Sequence, residues 1–439
     1  MSIHRQHYTR YTESAGLLQR ALKVMPGAAN SWTRWTDVPV SIARTEGARV
    51  WDVDGREYLD MHGAFNAIVL GHCFPQLTRA VAEQAGRLTL VGIGRTPQEV
   101  ELAERLVKHI PSAEQALLAP SGSDATYSAI RLARAATGRA CVVRFDGCFH
   151  GPHDYVLRSA ADDDPADGVS ADGVLNAAAH TVITCPYNDL EAVTDTFARR
   201  GEEIAAVIVE PLAFNASLAP EPGFLEGLRQ LADEHGALLI FDEVISGFRV
   251  GLGGAQALYG VMPDLTTLGK ALGNGFAVAA LVGPERHMRR FATTPGGQVP
   301  YSGTHNGNGV AVAAANATIG VMEREPVHEH LARLGERMRD GLRSIAAECD
   351  VPAVVTGHGS IFNILFTDTT PRTFADVLRA DERLSVAYRS ELLARGVLVM
   401  PLPNMRAQLT YSHTDDDIDR ALDLSRDALK AARDRAAHT

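Results

Sequence analysis

Three places in this chain hold residues that could do chemistry. Lysine is scarce: Lys23, Lys108, Lys270 and Lys430 are the only four, and every other basic residue of the Lys/Arg kind is arginine. Three of them fall in amphipathic or terminal stretches, where solvation accounts for them. Lys270 instead sits among glycines in Leu265-Thr266-Thr267-Leu268-Gly269-Lys270-Ala271-Leu272-Gly273-Asn274-Gly275. A partly buried lysine sheds its proton readily and becomes a Schiff-base nucleophile. Asp242 ends the apolar run Leu238-Leu239-Ile240-Phe241, where ionisation is costly without a cationic partner. A structural Asp–Lys salt bridge would explain the same pair. Pro120-Ser121-Gly122-Ser123-Asp124-Ala125 precedes a helical stretch, Ala125–Ala136, that ends at Gly138. Free N–H groups at a helix start, small hydroxyl side chains and a close-approach glycine make an anion cradle, although a plain helix cap reads the same in isolation.

A phosphate cradle, an aspartate placed for a ring nitrogen and a Schiff-base lysine in one unit together point to pyridoxal 5'-phosphate. Competing motifs are absent. The single Gly-Lys pair, Gly269-Lys270, lacks the upstream glycine of a P-loop, no G-x-G-x-x-G follows a strand, and there is no G-x-S-x-G elbow. His328-Glu329-His330 lacks zinc-protease spacing and reads as a solvated helix face. Cys73, Cys141, Cys148, Cys185 and Cys349 are odd in number and widely spread, so they read as small buried hydrophobes; neither disulfides nor a metal is expected.

The elements that must position these residues follow an α/β pattern. Solidly apolar strands are predicted at Gln115–Leu118, Ala140–Arg144, Ala205–Glu210, Ala237–Asp242, Leu265–Leu268 and Ala277–Val282, separated by helical segments such as Gly223–His235. Such strands belong to a mostly parallel sheet covered on both faces, whose ligands sit beyond the strand carboxyl ends. Glu210, Asp242 and Lys270 all fall there. Before this region come a helix at Tyr8–Met25 and a hairpin over Ser41–Asp60. After it, helices at Leu331–Ala347, Thr373–Arg395 and Asp415–Arg433 surround strands Ile361–Phe366 and Val397–Met400, a smaller α+β unit. The division is thus an N-terminal segment (1–60) joining the small domain and substrate pocket, a large domain (61–320) and a C-terminal small domain (321–439). At roughly 150 residues per domain, 439 residues suit this arrangement.

Hydrophobic residues at 46% and charged residues at 22% describe an ordinary globular chain, and a net charge of −11 removes the electrostatic footprint of a nucleic-acid binder. No apolar run reaches bilayer length and the first residues lack a signal-peptide core, so a cytoplasmic location without membrane association is expected.

From about Pro26 to His413 the chain resembles the class III aminotransferases, fold-type I pyridoxal-phosphate enzymes that include glutamate-1-semialdehyde aminomutase and several β- and ω-amino acid transaminases. The most specific segments are Ala237-Leu238-Leu239-Ile240-Phe241-Asp242-Glu243-Val244-Ile245-Ser246-Gly247-Phe248-Arg249 and Pro263-Asp264-Leu265-Thr266-Thr267-Leu268-Gly269-Lys270. Gly47–Gly55, Leu70-Gly71-His72, Phe149-His150-Gly151, Val209-Glu210-Pro211 and Gly303-Thr304 support them.

By this resemblance Lys270 would carry the Schiff base and shuttle the substrate proton, and Asp242 would hold the ring nitrogen. Ser121, Gly122 and Ser123 would hold the phosphate, with Thr304 reaching the phosphate of the neighbouring subunit of a homodimer. Phe149 would stack on the ring, and His150, Glu210 and Asn215 would complete the cofactor site. Ser31 and Arg34 would grip a substrate carboxylate, with Phe65 lining the pocket. Several features depart from the aminomutase pattern: Ser123-Asp124 replaces Thr-Glu, the loop after Thr304 is reshaped, and the acidic loop Asp162–Asp172 lacks a gating glycine-rich character. The characteristic aminomutase glutamate is replaced around Met405-Arg406. The expected activity is therefore transfer of an amino group between an amino acid donor and a keto acid or aldehyde acceptor. The alternatives are aminomutase-type intramolecular transfer and a cofactor-binding protein without turnover; the intact set Asp242, Lys270, Ser121 and Thr304 speaks against the last.

Overall fold

The computed structural model describes residues 11–34, 38–157, 173–214, 218–400, 402–403 and 405–436. The acidic loop Asp162–Asp172, Asn215 and residues 8–10 of the first predicted helix lie outside them.

Three strands open the fold: β1 (Ile42–Glu46), β2 (Arg49–Asp52) and β3 (Glu57–Asp60). Seven more make the central sheet: β4 (Gln115–Ala119), β5 (Cys141–Phe145), β6 (Val182–Cys185), β7 (Ile204–Val209), β8 (Leu238–Glu243), β9 (Leu265–Leu268) and β10 (Ala279–Gly283). Their order is β4-β10-β9-β8-β7-β5-β6. Every residue of β7 and β8 is buried, as expected where helices cover both faces and alternation gives way to continuous apolar sequence.

The run from β6 through β9 is parallel, whereas β10 is antiparallel to both of its neighbours, β9 and β4. The cause is chain length. Parallel neighbours need a crossover of a dozen or more residues, and the segment from β9 to β10 is shorter and carries the helical turn Lys270–Gly273.

The remaining strands are β11 (Val354–Thr356), β12 (Ile361–Leu365), β13 (Val397–Leu398) and β14 (Ala407–Gln408). Strand β13 pairs in parallel with β3, so residues from both ends of the chain share one four-stranded sheet. One hydrophobic cluster runs from Leu59 and Leu70 through Leu268 and Val282 to Leu334 and Leu429, binding N-terminal, central and C-terminal segments together.

The structure corrects several sequence expectations. Thr373–Arg395 is two helices, Phe374–Val377 and Glu382–Ala394, because Asp381 caps the second by accepting the Leu384 N–H at 2.9 Å. Strand β6 was not predicted, since its short Val-Ile-Thr-Cys stretch has no distinctive pattern at this edge of the sheet. Cys73 is exposed, unlike the other four cysteines. His328 and His330 are part-buried and contact the backbone carbonyls of Phe248 and His413, so they tie helix Val327–Glu348 to neighbouring segments rather than facing solvent. No described helix is long and apolar enough to cross a membrane.

Strand alternation sends Asp242 and Glu243 to opposite faces of the sheet. The Glu243 carboxyl accepts from the N–H groups of Ala255 and Gln256, from Gln256 Nε2 and from Ser246 Oγ, which pins helix Gly254–Tyr259 to the strand end. Truncating it leaves several buried donors without an acceptor, each costing about 1–3 kcal/mol. Glu243→Ala should therefore lower stability by about 3 kcal/mol or more, seen as a large drop in Tm, whereas a side chain of no structural weight would leave Tm unchanged.

Candidate active site

Beyond the carboxyl end of β8, a cavity of about 270 Å³ is lined by Ser121, Gly122, Ser123, Phe149, His150, Asp242, Val244 and Lys270 among others. Seven residues expected from the sequence thus converge.

Register explains the placement of Asp242. It pairs with Thr267 across β8 and β9, and the Thr267 hydroxyl donates to its Oδ1 at 2.9 Å. The Val244 N–H donates to the same oxygen at 3.1 Å, while Oδ2 lies 2.7 Å from His150 Nδ1. His150 is itself buried, its carbonyl accepts from Thr126 Oγ1 at 2.6 Å, and its Nε2 is buried without a partner. Both oxygens of Asp242 are therefore fixed in direction, with the carboxyl facing the cavity.

The cradle forms because Ser121, in extended conformation, caps helix Gly122–Thr137 by accepting the Asp124 N–H at 3.2 Å. The first amides of such a helix have no intrahelical acceptor and favour an anion. A Cβ on Gly122 would stand 2.9 Å from the Val244 methyls, and one on Gly151 would stand 2.7 Å from Ser123 Oγ, so neither position takes a side chain without moving a neighbour that lines the cavity.

Lys270 has a left-handed backbone (φ 46°) at the start of its helical turn. Burial is the main cause that lowers its amine from 10.5 to about 8; the Arg406 charge adds to this, and Glu210 and Asp242 oppose it. Burial in turn raises the Glu210 carboxyl, which accepts the Phe149 N–H at 2.7 Å. The turn ends at Asn274, whose Oδ1 accepts from the N–H groups of Val69 and Leu70 and whose Nδ2 donates to the Gly71 carbonyl.

Other expected residues stand apart from this cavity. Thr304 is exposed and does not line it; Asn215 is outside the described residues. Arg34 is exposed, and Ser31 Oγ is engaged with Thr33 Oγ1 at 2.8 Å. Phe65 packs edge-on against His62, an imidazole whose pKa burial lowers and on which the charges of both Arg34 and Arg406 act. Phe149 is 51% exposed, on the open side of the cavity.

Two groups had no assigned role in the sequence reading. Arg406 is 7% exposed, its guanidinium lowered to about 10 chiefly by burial. It lines a second cavity of about 340 Å³ with Leu212, Phe214, Tyr259 and Ile361. Arg249, in the segment that follows β8, is buried. Arginine is so abundant in this chain that neither residue could be singled out by type.

The family model for aminotransferase class III matches residues 32–429. The chain belongs to the class III aminotransferases. It is 42% identical over 419 residues to a glutamate-1-semialdehyde 2,1-aminomutase of Desulfitobacterium hafniense, covering 94% of this chain and 96% of that one. Among solved structures it resembles an omega-transaminase from Sphaerobacter thermophilus at TM-score 0.89 and 34% identity, covering 96% and 99% of the two chains. It also resembles a glutamate-1-semialdehyde aminomutase from Pseudomonas aeruginosa, solved in complex with PMP, at TM-score 0.88 and 28% identity over 98% and 96%. The mostly parallel seven-stranded sheet and these neighbours make the fold type I.

The lowered Lys270 amine has a direct consequence. Its neutral, reactive fraction rises through about pH 8, below the range of an ordinary lysine. Limited labelling of the cofactor-free protein with a small amine-reactive aldehyde, mapped by mass spectrometry, should therefore show Lys270 reacting with a midpoint about 2 pH units below the exposed Lys23, Lys108 and Lys430. A shared midpoint would show that the amine is not desolvated.

Proposed function

We propose that this class III aminotransferase uses pyridoxal 5'-phosphate to move an amino group from a carboxylate-bearing amino acid to an oxo acid or aldehyde. The observation that carries the reading is the buried guanidinium of Arg406, whose charge reaches the Lys270 amine and which lines the second cavity. A planar guanidinium in a desolvated setting suits a carboxylate.

The residues fit the cofactor. The helix start at Ser121–Ser123 and the space kept by Gly122 and Gly151 suit a phosphate, the fixed carboxyl of Asp242 suits a protonated ring nitrogen, and the Lys270 amine suits an aldehyde carbon. Pyridoxal phosphate, when bound, supplies the electron sink that makes the substrate Cα–H acidic. Asp242 keeps the ring nitrogen charged, aided by the Thr267 hydroxyl and His150. The Lys270 amine would take up the substrate Cα proton and return it, a task for which an amine titrating at about 8 is well matched. Phe149 covers the open face. Thr304, exposed on this chain, reaches the phosphate of the partner in a homodimer, and Ser31 and Arg34 meet substrate at the pocket mouth. Arg34 contributes less than Arg406, because an exposed charge is screened.

The second reading is intramolecular transfer of the aminomutase type, favoured by the 42% identity to an aminomutase. One experiment separates them. Single amino donors, without any oxo acid, are added to the holoenzyme while its visible band is followed. The proposed transaminase should lose that band and release one equivalent of oxo product. Persistence with common amino acids, together with a response to a diamino acid or amino aldehyde without oxo product, would establish the aminomutase instead.

Removing the Arg406 charge tests the substrate class. Arg406→Met should raise KM for carboxylate donors with kcat/KM falling by about 2 kcal/mol, or ~30-fold, as expected for a lost charge-assisted hydrogen bond. An unchanged KM would place the carboxylate elsewhere.

A further inference from the structure

Gly63, Ala64, Phe65 and Asn66 all have positive φ, at 51°, 50°, 59° and 71°. This is one turn of left-handed helix, a conformation that L-residues avoid and that asparagine tolerates better than most. It survives because its surroundings fix it from several sides. Asp60 Oδ1 accepts the N–H groups of His62 and Gly63 at 2.9 and 3.0 Å. A Cβ on Gly63 would lie 1.4 Å from Gln408 Nε2, so the first position admits only glycine in this arrangement.

Asn66 is buried, and the direction of its amide is determined by a chain of donors. Gln408 Nε2 donates to the carbonyls of Gly63 and Ile68 at 3.0 and 3.3 Å, which turns Gln408 Oε1 toward Asn66. Asn66 Nδ2 donates to that oxygen at 2.6 Å, which leaves Asn66 Oδ1 as the acceptor for Arg406 Nε. Behind the turn, Arg249 Nη2 donates to the carbonyls of Asn66 and Ile68, both at 2.9 Å, and its Nη1 donates to Ser360 Oγ and the Leu409 carbonyl. All four of these Arg249 partners are neutral. Residues 63–68, Ser360 and the strand holding Gln408 are therefore one connected piece, with the Arg406 guanidinium attached at Nε.

We propose that Asn66 is a positioning residue of the substrate-acid site: its side-chain oxygen, aimed by the left-handed turn and by Gln408, fixes the orientation in which Arg406 presents its guanidinium. The inference rests on the reading that Arg406 receives the substrate carboxylate. An amide suits this place because it accepts a hydrogen bond without bringing a negative charge. An aspartate of the same shape would pair with the guanidinium and compete with the substrate.

The test is binding of glutarate, a dicarboxylate with no amine or oxo group to react, measured by calorimetry on protein saturated with pyridoxal 5'-phosphate. Steady-state kinetics with an amino acid donor accompany it. Asn66→Gly suits φ 71°; it should lower Tm, because buried Gln408 Oε1 and Arg406 Nε lose a partner, but keep kcat while weakening glutarate binding and raising donor KM ~10-fold, as for one lost charge-assisted hydrogen bond. Asn66→Asp should weaken binding ~100-fold, with the loss unchanged between about pH 6 and 8, because the guanidinium it pairs with keeps the new carboxyl ionised throughout. If Asn66→Gly is poorly folded, Asn66→Asp, which keeps the shape and tolerates the same backbone, carries the test. Wild-type affinity in both folded variants, with Arg406→Met still impaired, would overturn the positioning role and leave the carboxylate reading standing. Wild-type glutarate affinity in Arg406→Met would remove the carboxylate reading and the inference with it.

Discussion

The contact between Asp242 and Thr267 is the constraint on which the site depends. It is a register contact: the two residues face one another across β8 and β9, so the sheet ladder brings hydroxyl and carboxylate to 2.9 Å. A one-residue slip in this pairing would turn Asp242 to the face now occupied by Glu243 and carry the lysine that follows β9 along the strand axis. The apolar strands that bury Asp242 on both sides enforce that register. The same burial makes its three hydrogen-bonding partners necessary, because an ionised carboxyl in such a place needs them.

Around this carboxyl the protein gathers buried charge. Lys270, Arg406 and Arg249 lie on one side of the balance and Asp242 and Glu210 on the other, and burial dominates the shift of each group whose titration is moved. Clusters of this kind are costly to fold and typical of reactive sites. The compensation is geometric: backbone groups, hydroxyls and amides hold Asp242, Glu210, Arg249 and Arg406, with His150 as a further partner of Asp242. The helix start at Gly122 completes the balance with partial positive charge, without another ionisable side chain.

Much of this was legible in the sequence because rarity and position coincide. Lys270 stood out as a scarce residue among glycines, Asp242 as a charge ending an apolar run, and Ser121–Ser123 as a helix start. The parallel strands other than β6 were equally readable, since full burial removes alternation. What remained hidden has physical reasons. The reversal of β10 follows from loop length, which carries no signature of its own. The break near Asp381 depends on a single cap within an otherwise helical pattern. Arg249 and Arg406 are lost among many arginines, and their burial is a tertiary fact. The left-handed turn at Gly63–Asn66 contains one glycine followed by Ala-Phe-Asn, and its conformation is imposed from outside by Asp60, Gln408 and Arg249.

Asn274 links two functions that the chain keeps far apart in sequence. Its side chain staples the end of the lysine turn to the backbone of Val69, Leu70 and Gly71, just beyond the left-handed turn. The anchor is made wholly to main-chain groups, so it does not depend on which side chains occupy the neighbouring wall. His62 and Phe65 can therefore drift to other residue types, while Gly63 and Asn66 stay fixed by their contacts and the distance from that wall to the nucleophile stays constant. The staple separates what may diverge during descent from what must be inherited unchanged.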